Sequence, residues 1–215
     1  MPLKNIRKPW IRSLVSCRCW RPAVNKAAFL HRFHSSPPLA VSDDYPLTHA
    51  GRAAGVLVPL IDRPEGLTVL LTQRALHLAH HPGQISFPGG KQEEQDKDLI
   101  DTALREAWEE IGLPRQNCQV IGVMPEHRTI TGFCITAIVA IVEPEFDIII
   151  DSNEVSDTFE VPLAFLLDSN NYITEHFHRG PLTNPVHFIP WQNRMIWGAT
   201  AALLRNLASI FTDNN

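Results

Sequence analysis

The most constraining feature of this chain is a short segment that combines an apolar stripe with a cluster of glutamates. Apolar residues recur at helical spacing from Leu99 to Ile111, which predicts a helix that buries one face. Asp96 or Asp98 can cap its start, and Gly112 followed by Pro114 ends it. The predicted stripe comprises Leu99, Ile100, Ala103, Leu104, Ala107, Trp108 and Ile111.

Three glutamates, Glu106, Glu109 and Glu110, are predicted to share a face opposite this stripe, because residues three and four apart are neighbours on a helix. Like charges at this spacing cost roughly 0.2–0.5 kcal/mol per pair, and either open solvent or a bound cation relieves that cost. Carboxylates are preferred ligands of Mg²⁺ and Mn²⁺, and Gly89-Gly90 lets the upstream backbone bend sharply beside a ligand. The segment is therefore either a solvated helix face or a cradle for a metal-bound diphosphate.

The rest of the chain mixes strand and helix patterns without a regular alternation, which predicts an α+β fold. The polar segment from His34 to Pro46 is typical of a linker, and ordered structure is expected from about Ala50 onward. The predicted strands are Gly55–Asp62, Leu67–Arg74, Gln119–Val123 and Phe133–Val142, followed by a short helix at Val161–Asp168, a hairpin of Tyr172–His178 with Pro185–Trp191, and a last helix at Ile196–Phe211.

The amino-terminal region differs sharply in charge from the rest of the chain. Eight of the 19 basic residues and none of the 23 acidic residues lie between Met1 and Val41. This composition is typical of a mitochondrial transit peptide, and a disordered extension is the other interpretation. We therefore predict an extension and linker over residues 1–45 and a single domain over 46–212.

Composition also excludes several classes of function. Beyond Val41 the chain carries 11 basic against 23 acidic residues, which argues against binding nucleic acid through its phosphates. No apolar run approaches the roughly 20 residues that a membrane helix requires, so no membrane partner is predicted. The four cysteines, Cys17, Cys19, Cys118 and Cys134, are sparse and irregularly spaced, which predicts free thiols and a cytoplasmic location, with mitochondria as the alternative. The oligomeric state is not predicted.

The stretch from Ala103 to Leu113, ALREAWEEIGL, resembles the core of the Nudix box, the loop–helix–loop signature of Nudix hydrolases. The loop before it carries one residue more than the family pattern, so that Lys97 falls where the pattern has its first glutamate. Asp96 and Asp98 flank that position, and we expect an aspartate to take over its structural role. The resemblance implies a Nudix-type α/β/α sandwich with a mixed sheet.

A second stretch, LLTQRALHLAHHPGQISFPGG from Leu70 to Gly90, is similar to the segment that precedes the box in the coenzyme A diphosphatase subfamily. Ala75 and Ala79 replace a serine and an arginine of that pattern. The resemblance implies cleavage of coenzyme A or its derivatives into 4′-phosphopantetheine and adenosine 3′,5′-bisphosphate. The alternatives are another nucleoside diphosphate derivative, such as ADP-ribose or NADH, and a Nudix module that senses a nucleotide without hydrolysing it.

The resemblance also implies roles for individual residues in a Mg²⁺- or Mn²⁺-dependent reaction on a small-molecule substrate. Metal ligands would be Glu106 and Glu110, with Glu109 as a further ligand or a base that orients water. Arg105 would pair with a carboxylate and orient the cluster, and Glu154 is a second candidate for the general base. Residues expected near the substrate are Arg74, Gly89, Gly90 and His80, with His77 and His81 as further loop histidines.

Overall fold

The protein is described here from a computed structural model that covers residues 23–37, 42–43, 51–179 and 182–211. The elements in chain order are α1 (Lys26–Ser35), β1 (Ser42–Asp43), β2 (Arg52–Arg63), β3 (Gly66–Arg74), β4 (Ile85–Ser86), β5 (Gly89–Lys91), α2 (Leu99–Ile111), β6 (Cys118–Val123), β7 (His127–Arg128), β8 (Phe133–Val142), β9 (Val155–Pro162), α3 (Leu163–Leu166), β10 (Ile173–Arg179), β11 (Leu182–Trp191), β12 (Arg194–Trp197) and α4 (Ala199–Ser209).

The main sheet is mixed, as the sequence predicts. Its strand order is β1-β7-β8-β2-β3-β4, and β5, β6 and β9 pair with β2, β8 and β3 respectively. β2 and β8 run parallel from the pair Arg52 and Phe133 to the pair Ile61 and Val142, whereas β3 and β9 run antiparallel. The two central strands, β2 and β8, are covered by other elements on both faces of the sheet. This is why their sequences are nearly continuous apolar runs.

Helices cover both faces of this sheet. On one face, α2 packs against β2, β3 and β8 through a buried cluster that includes Leu57, Leu70, Ala107 and Ile138. On the other face, a larger cluster joins the sheet to α1, α3, α4 and a second, three-stranded sheet of β10, β11 and β12. This arrangement confirms the predicted α+β sandwich.

The helix α1 corrects the prediction that residues 1–45 form an extension and linker. Asn25 caps it by accepting a hydrogen bond from the Ala28 backbone N–H at 2.8 Å. Phe29 is fully buried and its ring lies 5.4 Å from that of Phe211, at the other end of the domain sequence. The basic composition of the segment gives no indication that Phe29 packs into the core. Residues 1–22, 38–41 and 44–50 lie outside the described residues.

The carboxyl-terminal third also differs in detail from the sequence prediction. Val155–Pro162 forms a strand where a polar loop and the start of a helix are predicted, because it pairs with β3 across the sheet. Arg194–Trp197 likewise forms a strand against β11, so the last helix begins at Ala199 and not at Ile196. β9 takes its hydrogen bonds from a strand that is distant in the sequence, whereas β12 takes them from the adjacent strand β11 across a tight turn.

The cysteines of the described residues meet a further expectation. Cys118 and Cys134 are free, as predicted, while Cys17 and Cys19 lie outside that part of the chain. Among the helices of the described ranges, none is both long enough and apolar enough to cross a membrane.

The burial of Phe29 yields a stability prediction. Phe29→Ala is expected to lower the free energy of unfolding by about 3 kcal/mol or more, because it empties a fully buried aromatic site between α1 and α4. Urea unfolding followed by tryptophan fluorescence measures the change. Lys26→Ala, which removes only a half-exposed ion pair with Asp62, is expected to change stability by less than about 0.5 kcal/mol. Equal stability of Phe29→Ala and the wild type would show that α1 does not dock.

Candidate active site and metal centre

The helix α2 is fixed at both ends by its own sequence. Asp98 is the N-cap, and its Oδ1 accepts a hydrogen bond from the Asp101 backbone N–H at 2.8 Å. Gly112 is the left-handed C-cap, and its N–H donates to the Trp108 carbonyl at 2.9 Å. The helix therefore runs over Leu99–Ile111, as the apolar pattern predicts.

The three glutamates of α2 do not share one face, which corrects the sequence prediction. Glu110 is only 3% exposed, and the Glu106 side chain is 14% exposed. The Glu109 side chain is 57% exposed and pairs with Arg105. Trp108, which the sequence places in the buried stripe, is 57% exposed. The buried face is centred nearer Ala103 and Ala107, so it takes in Glu110 and leaves Trp108 outside.

A third carboxylate joins the two buried glutamates from another part of the chain. Glu106, Glu110 and Glu154 each offer an oxygen within 4.8 Å of the other two. Glu154 lies in the turn before β9, where its carbonyl accepts a hydrogen bond from the Ala75 N–H at 2.8 Å. The pairing of β9 with β3 thus brings this residue to the helix, and Glu109 is not part of the cluster.

The backbone at Gly89 and Gly90 passes close to this carboxylate cluster. A Cβ on Gly90 would lie 2.3 Å from the Glu106 Oε1, so any side chain there would displace the carboxylate. Gly89 has a φ of +153°, and a Cβ on it would lie 2.5 Å from the Gly55 carbonyl oxygen. The Gly89 backbone N–H also acts on Glu110 and lowers its pKa. Gly90 therefore lets the chain pass close to Glu106, and Gly89 lets it pass close to the β2 backbone.

The enclosed position of Glu110 changes its acidity. Burial, together with the negative charges of Glu106 and Glu154, raises the pKa of Glu110 to about 8, against opposing effects of Arg74 and the Gly89 N–H. Burial also raises the pKa of Glu106, although Arg105 counteracts it. A site that raises the pKa of its carboxylates in this way favours a neutralising cation.

Arg105 links this cluster to the loop before α2. Its guanidinium donates to both carboxylate oxygens of Asp96 at 2.9 and 3.0 Å, lies 3.1 Å from the Glu106 Oε1 and donates to Glu109 at 2.8 Å. The hydrogen bond from Arg105 holds the pKa of Asp96 well below its usual range. Arg105 thus pairs with carboxylates of both the loop and the helix, and its role in orienting the cluster stays a prediction.

Asp96 is the aspartate that the lengthened loop places at the centre of this network. Its Oδ2 also accepts hydrogen bonds from the Glu93 N–H and the Thr102 hydroxyl, both at 2.9 Å. Thr102 is fully buried, and sequence reasoning gave it no role. The local sequence signal for the contact between Thr102 and Asp96 is that Thr102 lies four residues after the N-cap, Asp98.

The residues expected near a substrate differ in how they relate to the carboxylate cluster. Arg74 ends β3, and its positive charge lowers the pKa of Glu110. Its N–H and carbonyl are both hydrogen-bonded to the loop that follows, at Gln84 and Gly83. His80 is exposed on that loop, and none of the described contacts joins it to the cluster.

The carboxylate cluster fits a divalent cation. The Glu110 Oε2 is buried and has no hydrogen-bond partner within the described part of the protein. A buried carboxylate oxygen without a donor is costly unless a cation satisfies it, and the neighbouring oxygens of Glu106 and Glu154 supply the hard ligands that Mg²⁺ and Mn²⁺ take. Glu106, Glu110 and Glu154 are therefore the residues that could hold such a cation.

Comparison with known proteins gives a family. Residues 51–178 match the family described as NUDIX domain. The chain is 39% identical over 186 residues to the protein named uncharacterized Nudix hydrolase NudL from Yersinia pestis, a match that covers 84% of this chain and 92% of that protein. The corresponding Yersinia pseudotuberculosis protein matches equally well.

Two solved structures are also similar to this chain. The Nudix hydrolase RenU from M. smegmatis is 23% identical, with a TM-score of 0.45 over 52% of this chain and 71% of its own. The MutT protein from Methanosarcina mazei is 25% identical, with a TM-score of 0.44 over 56% and 83%. With scores this low, these two matches add nothing to the assignment made from sequence.

The raised pKa of Glu110 predicts how stability without metal depends on pH. A carboxyl whose pKa rises from 4.5 to about 8 on folding holds its proton more tightly in the folded state. Its contribution to stability is therefore lost as the pH rises between those values. In EDTA, the wild type is expected to lose thermal stability from pH 5 to 8 relative to Glu110→Gln. Parallel pH profiles for the two proteins would contradict the assignment.

Proposed function

Because the chain belongs to the Nudix hydrolase family, we propose that it hydrolyses the diphosphate bond of coenzyme A or its derivatives, giving 4′-phosphopantetheine and adenosine 3′,5′-bisphosphate. The chain is a pyrophosphohydrolase that acts on nucleoside diphosphate derivatives; the choice of coenzyme A is the proposal. The observation that carries it is the convergence of Glu106, Glu110 and Glu154 beside Gly89-Gly90, next to the strand that ends in Arg74.

Support for coenzyme A comes from the segment between Leu70 and Gly90. The motif that resembles the coenzyme A diphosphatase subfamily runs through β3 and its following loop to β5. The charge of its arginine, Arg74, acts on Glu110, and its last glycine, Gly90, lies against Glu106. Residues of this motif therefore lie at the candidate site itself. There they can contact the substrate and influence which substrate is bound.

We propose Mg²⁺ or Mn²⁺ as the cofactor, held by Glu106, Glu110 and Glu154. When bound, such a cation neutralises the diphosphate oxygens and lowers the pKa of water at the site. The family requirement for a divalent cation agrees with the donor set, since three carboxylates lie within 4.8 Å of one another. Arg105 keeps Glu106 in place through its contact at 3.1 Å.

The reaction needs a group that accepts a proton when water attacks phosphorus. Glu154 is the exposed member of the cluster, so its carboxylate is open to a water molecule, and we assign its oxygen as the proton acceptor. The new bond joins the water oxygen to phosphorus, and the bond from that phosphorus to the bridging oxygen breaks. We expect Arg74 to contact the phosphates. Glu109, exposed and paired with Arg105, orients that arginine in this scheme.

Two alternatives remain distinct from this proposal. The substrate would be ADP-ribose or NADH if the segment from Leu70 to Gly90 served only the fold. A sensor that binds a nucleotide without hydrolysing it would need no carboxylate cluster, yet Glu106, Glu110 and Glu154 are all present and close together. The geometry therefore favours an enzyme.

Substitution of the four candidate glutamates tests the assignment of roles. Glu106→Gln, Glu110→Gln and Glu154→Gln are each expected to lower kcat/KM by about a hundredfold or more, since each removes a metal ligand or the base. Glu109→Gln is expected to have a smaller effect, because its side chain is outside the cluster. Glu143→Gln, at an exposed position, is the matched control. A larger loss in Glu109→Gln than in Glu154→Gln would reverse the assignment.

Identification of the products tests the substrate. The purified protein with Mn²⁺ is expected to convert coenzyme A into 4′-phosphopantetheine and adenosine 3′,5′-bisphosphate faster than it cleaves ADP-ribose or NADH. Mass spectrometry of the products in ¹⁸O-water measures this and reports which phosphorus is attacked. Cleavage of ADP-ribose alone would reject coenzyme A while leaving the enzyme class intact, and binding without cleavage of any of the three would favour the sensor.

A further inference from the structure

Glu154 is the one member of the carboxylate cluster that comes from outside α2. Its distance from Glu106 and Glu110 therefore depends on how the chain around it is held, from Asp151 to Ser156. We call residues 151–156 the Glu154 segment. Glu154 itself is exposed, so burial of its own side chain does not hold it in place. The hydrogen bonds of its neighbours do so instead.

One end of the Glu154 segment is joined to the helix that carries the other two carboxylates. The Asp151 backbone N–H donates a hydrogen bond to the Glu110 carbonyl at 3.0 Å. Two residues earlier, the Ile149 N–H donates to the Ile111 carbonyl, also at 3.0 Å. Both carbonyls belong to the last turn of α2, where carbonyls have no partner within the helix. The segment thus starts from the backbone of a proposed metal ligand.

The side chain of Asp151 shapes the turn that leads to Glu154. Its Oδ1 accepts hydrogen bonds from the Asn153 backbone N–H at 3.0 Å and from the Asn153 side-chain amide at 2.8 Å, as in an Asx turn. The Asp151 carbonyl accepts hydrogen bonds from the N–H groups of Glu154 and Val155 at 3.0 and 2.9 Å. Val155 is 2% exposed, so the residue that follows Glu154 is fixed in the core.

A β-bulge joins the other end of the segment to β3. The register of the β3–β9 pair shifts between Gln73 and Arg74, which are adjacent on β3. Their partners on β9, Asp157 and Val155, have Ser156 between them. The Ser156 hydroxyl donates to the Gln73 carbonyl at 3.1 Å, with the Arg74 carbonyl at 3.3 Å as a second acceptor. The extra residue of the bulge is therefore held by its own side chain. Bulges beside active sites redirect the side chains next to them.

The bulge determines which residue lies beside the end of β3. Without it, the regular pairing would bring Val155 opposite Ala75. With it, Glu154 takes that place, and its carbonyl accepts a hydrogen bond from the Ala75 N–H at 2.8 Å. A shift of one residue turns the side chains of a strand to the other face, so the bulge controls whether the Glu154 carboxylate reaches those of α2.

From these contacts we propose that Asp151 and Ser156 are positioning residues that act through Glu154 on the proposed metal site. Asp151 fixes the turn on the side of α2, and Ser156 fixes the bulge on the side of β3. The inference rests on the proposed function, since it takes Glu154 as a metal ligand. It goes beyond that function because neither side chain belongs to the cluster of Glu106, Glu110 and Glu154.

Calorimetric titration of the metal-free variants with Mn²⁺ tests the proposal without reference to any substrate. Asp151→Ala and Ser156→Ala are each expected to weaken Mn²⁺ binding by about tenfold or more, since loss of a group that supports a metal ligand costs about 10–100-fold in affinity. Asp151→Asn keeps the Oδ1 acceptor and Ser156→Thr keeps the hydroxyl, so both are expected to stay close to the wild-type affinity. Ser152→Ala, in the same turn and exposed, is the matched control and is expected to bind as the wild type does.

A double substitution separates a positioning role from a general structural one. If Ser156 acts through Glu154, then Ser156→Ala is expected to have little further effect on kcat and on Mn²⁺ affinity once Glu154→Gln is present. Additive losses in the double variant would overturn the proposal, because the effect would then pass through the fold as a whole. Thermal unfolding in EDTA establishes that each variant is folded, and substitutions at both ends of the segment guard against the failure of one of them to fold.

The same measurements distinguish this proposal from the proposed function. Equal Mn²⁺ affinity of the wild type and both folded alanine variants would overturn the positioning roles and leave the proposed hydrolysis intact. Failure to cleave coenzyme A, together with the expected order of Mn²⁺ affinities, would reject the proposed substrate and support the positioning roles.

Discussion

The burial of two carboxylates against a glycine turn is the constraint on which the site depends. Glu110 is 3% exposed, its Oε2 lacks a hydrogen-bond partner among the described residues, and Glu106 and Glu154 add negative charge beside it. Folding without a cation therefore leaves an uncompensated electrostatic cost, which is repaid when a cation binds. Gly90, which makes room for Glu106, is also the last residue of the segment on which the proposal of coenzyme A rests.

Arg105 links the buried carboxylates to the loop that precedes α2. Its guanidinium binds Asp96 with two hydrogen bonds and lies 3.1 Å from Glu106, so one side chain contacts both the loop before α2 and a proposed metal ligand. The extra residue in that loop changes which acid the arginine meets, but the interaction survives because Asp96 is supported by Thr102 and the Glu93 N–H. Positioning and metal binding are therefore coupled through one ion-pair network.

Much of the fold and part of the site could be predicted from local patterns. Helical spacing located α2, and residue identities located Glu106, Glu110 and Arg105, because these depend on neighbours three and four residues apart. Trp108 was placed wrongly, since spacing alone does not say which edge of a stripe faces the sheet. Glu154 could be named but not placed, because the β3–β9 pairing that carries it is a long-range contact. Phe29 was missed for the same reason, as its partner is Phe211.

The most direct test of the central claim is calorimetric titration of the metal-free protein with Mn²⁺ in two buffers of different ionisation enthalpy. Glu110, whose pKa is raised to about 8, is largely protonated at neutral pH and must lose its proton to bind a cation. The account predicts that about one proton is released per cation bound at pH 7, and that Glu110→Gln abolishes this release. Binding with the same heat in both buffers, or no binding at all, would contradict it.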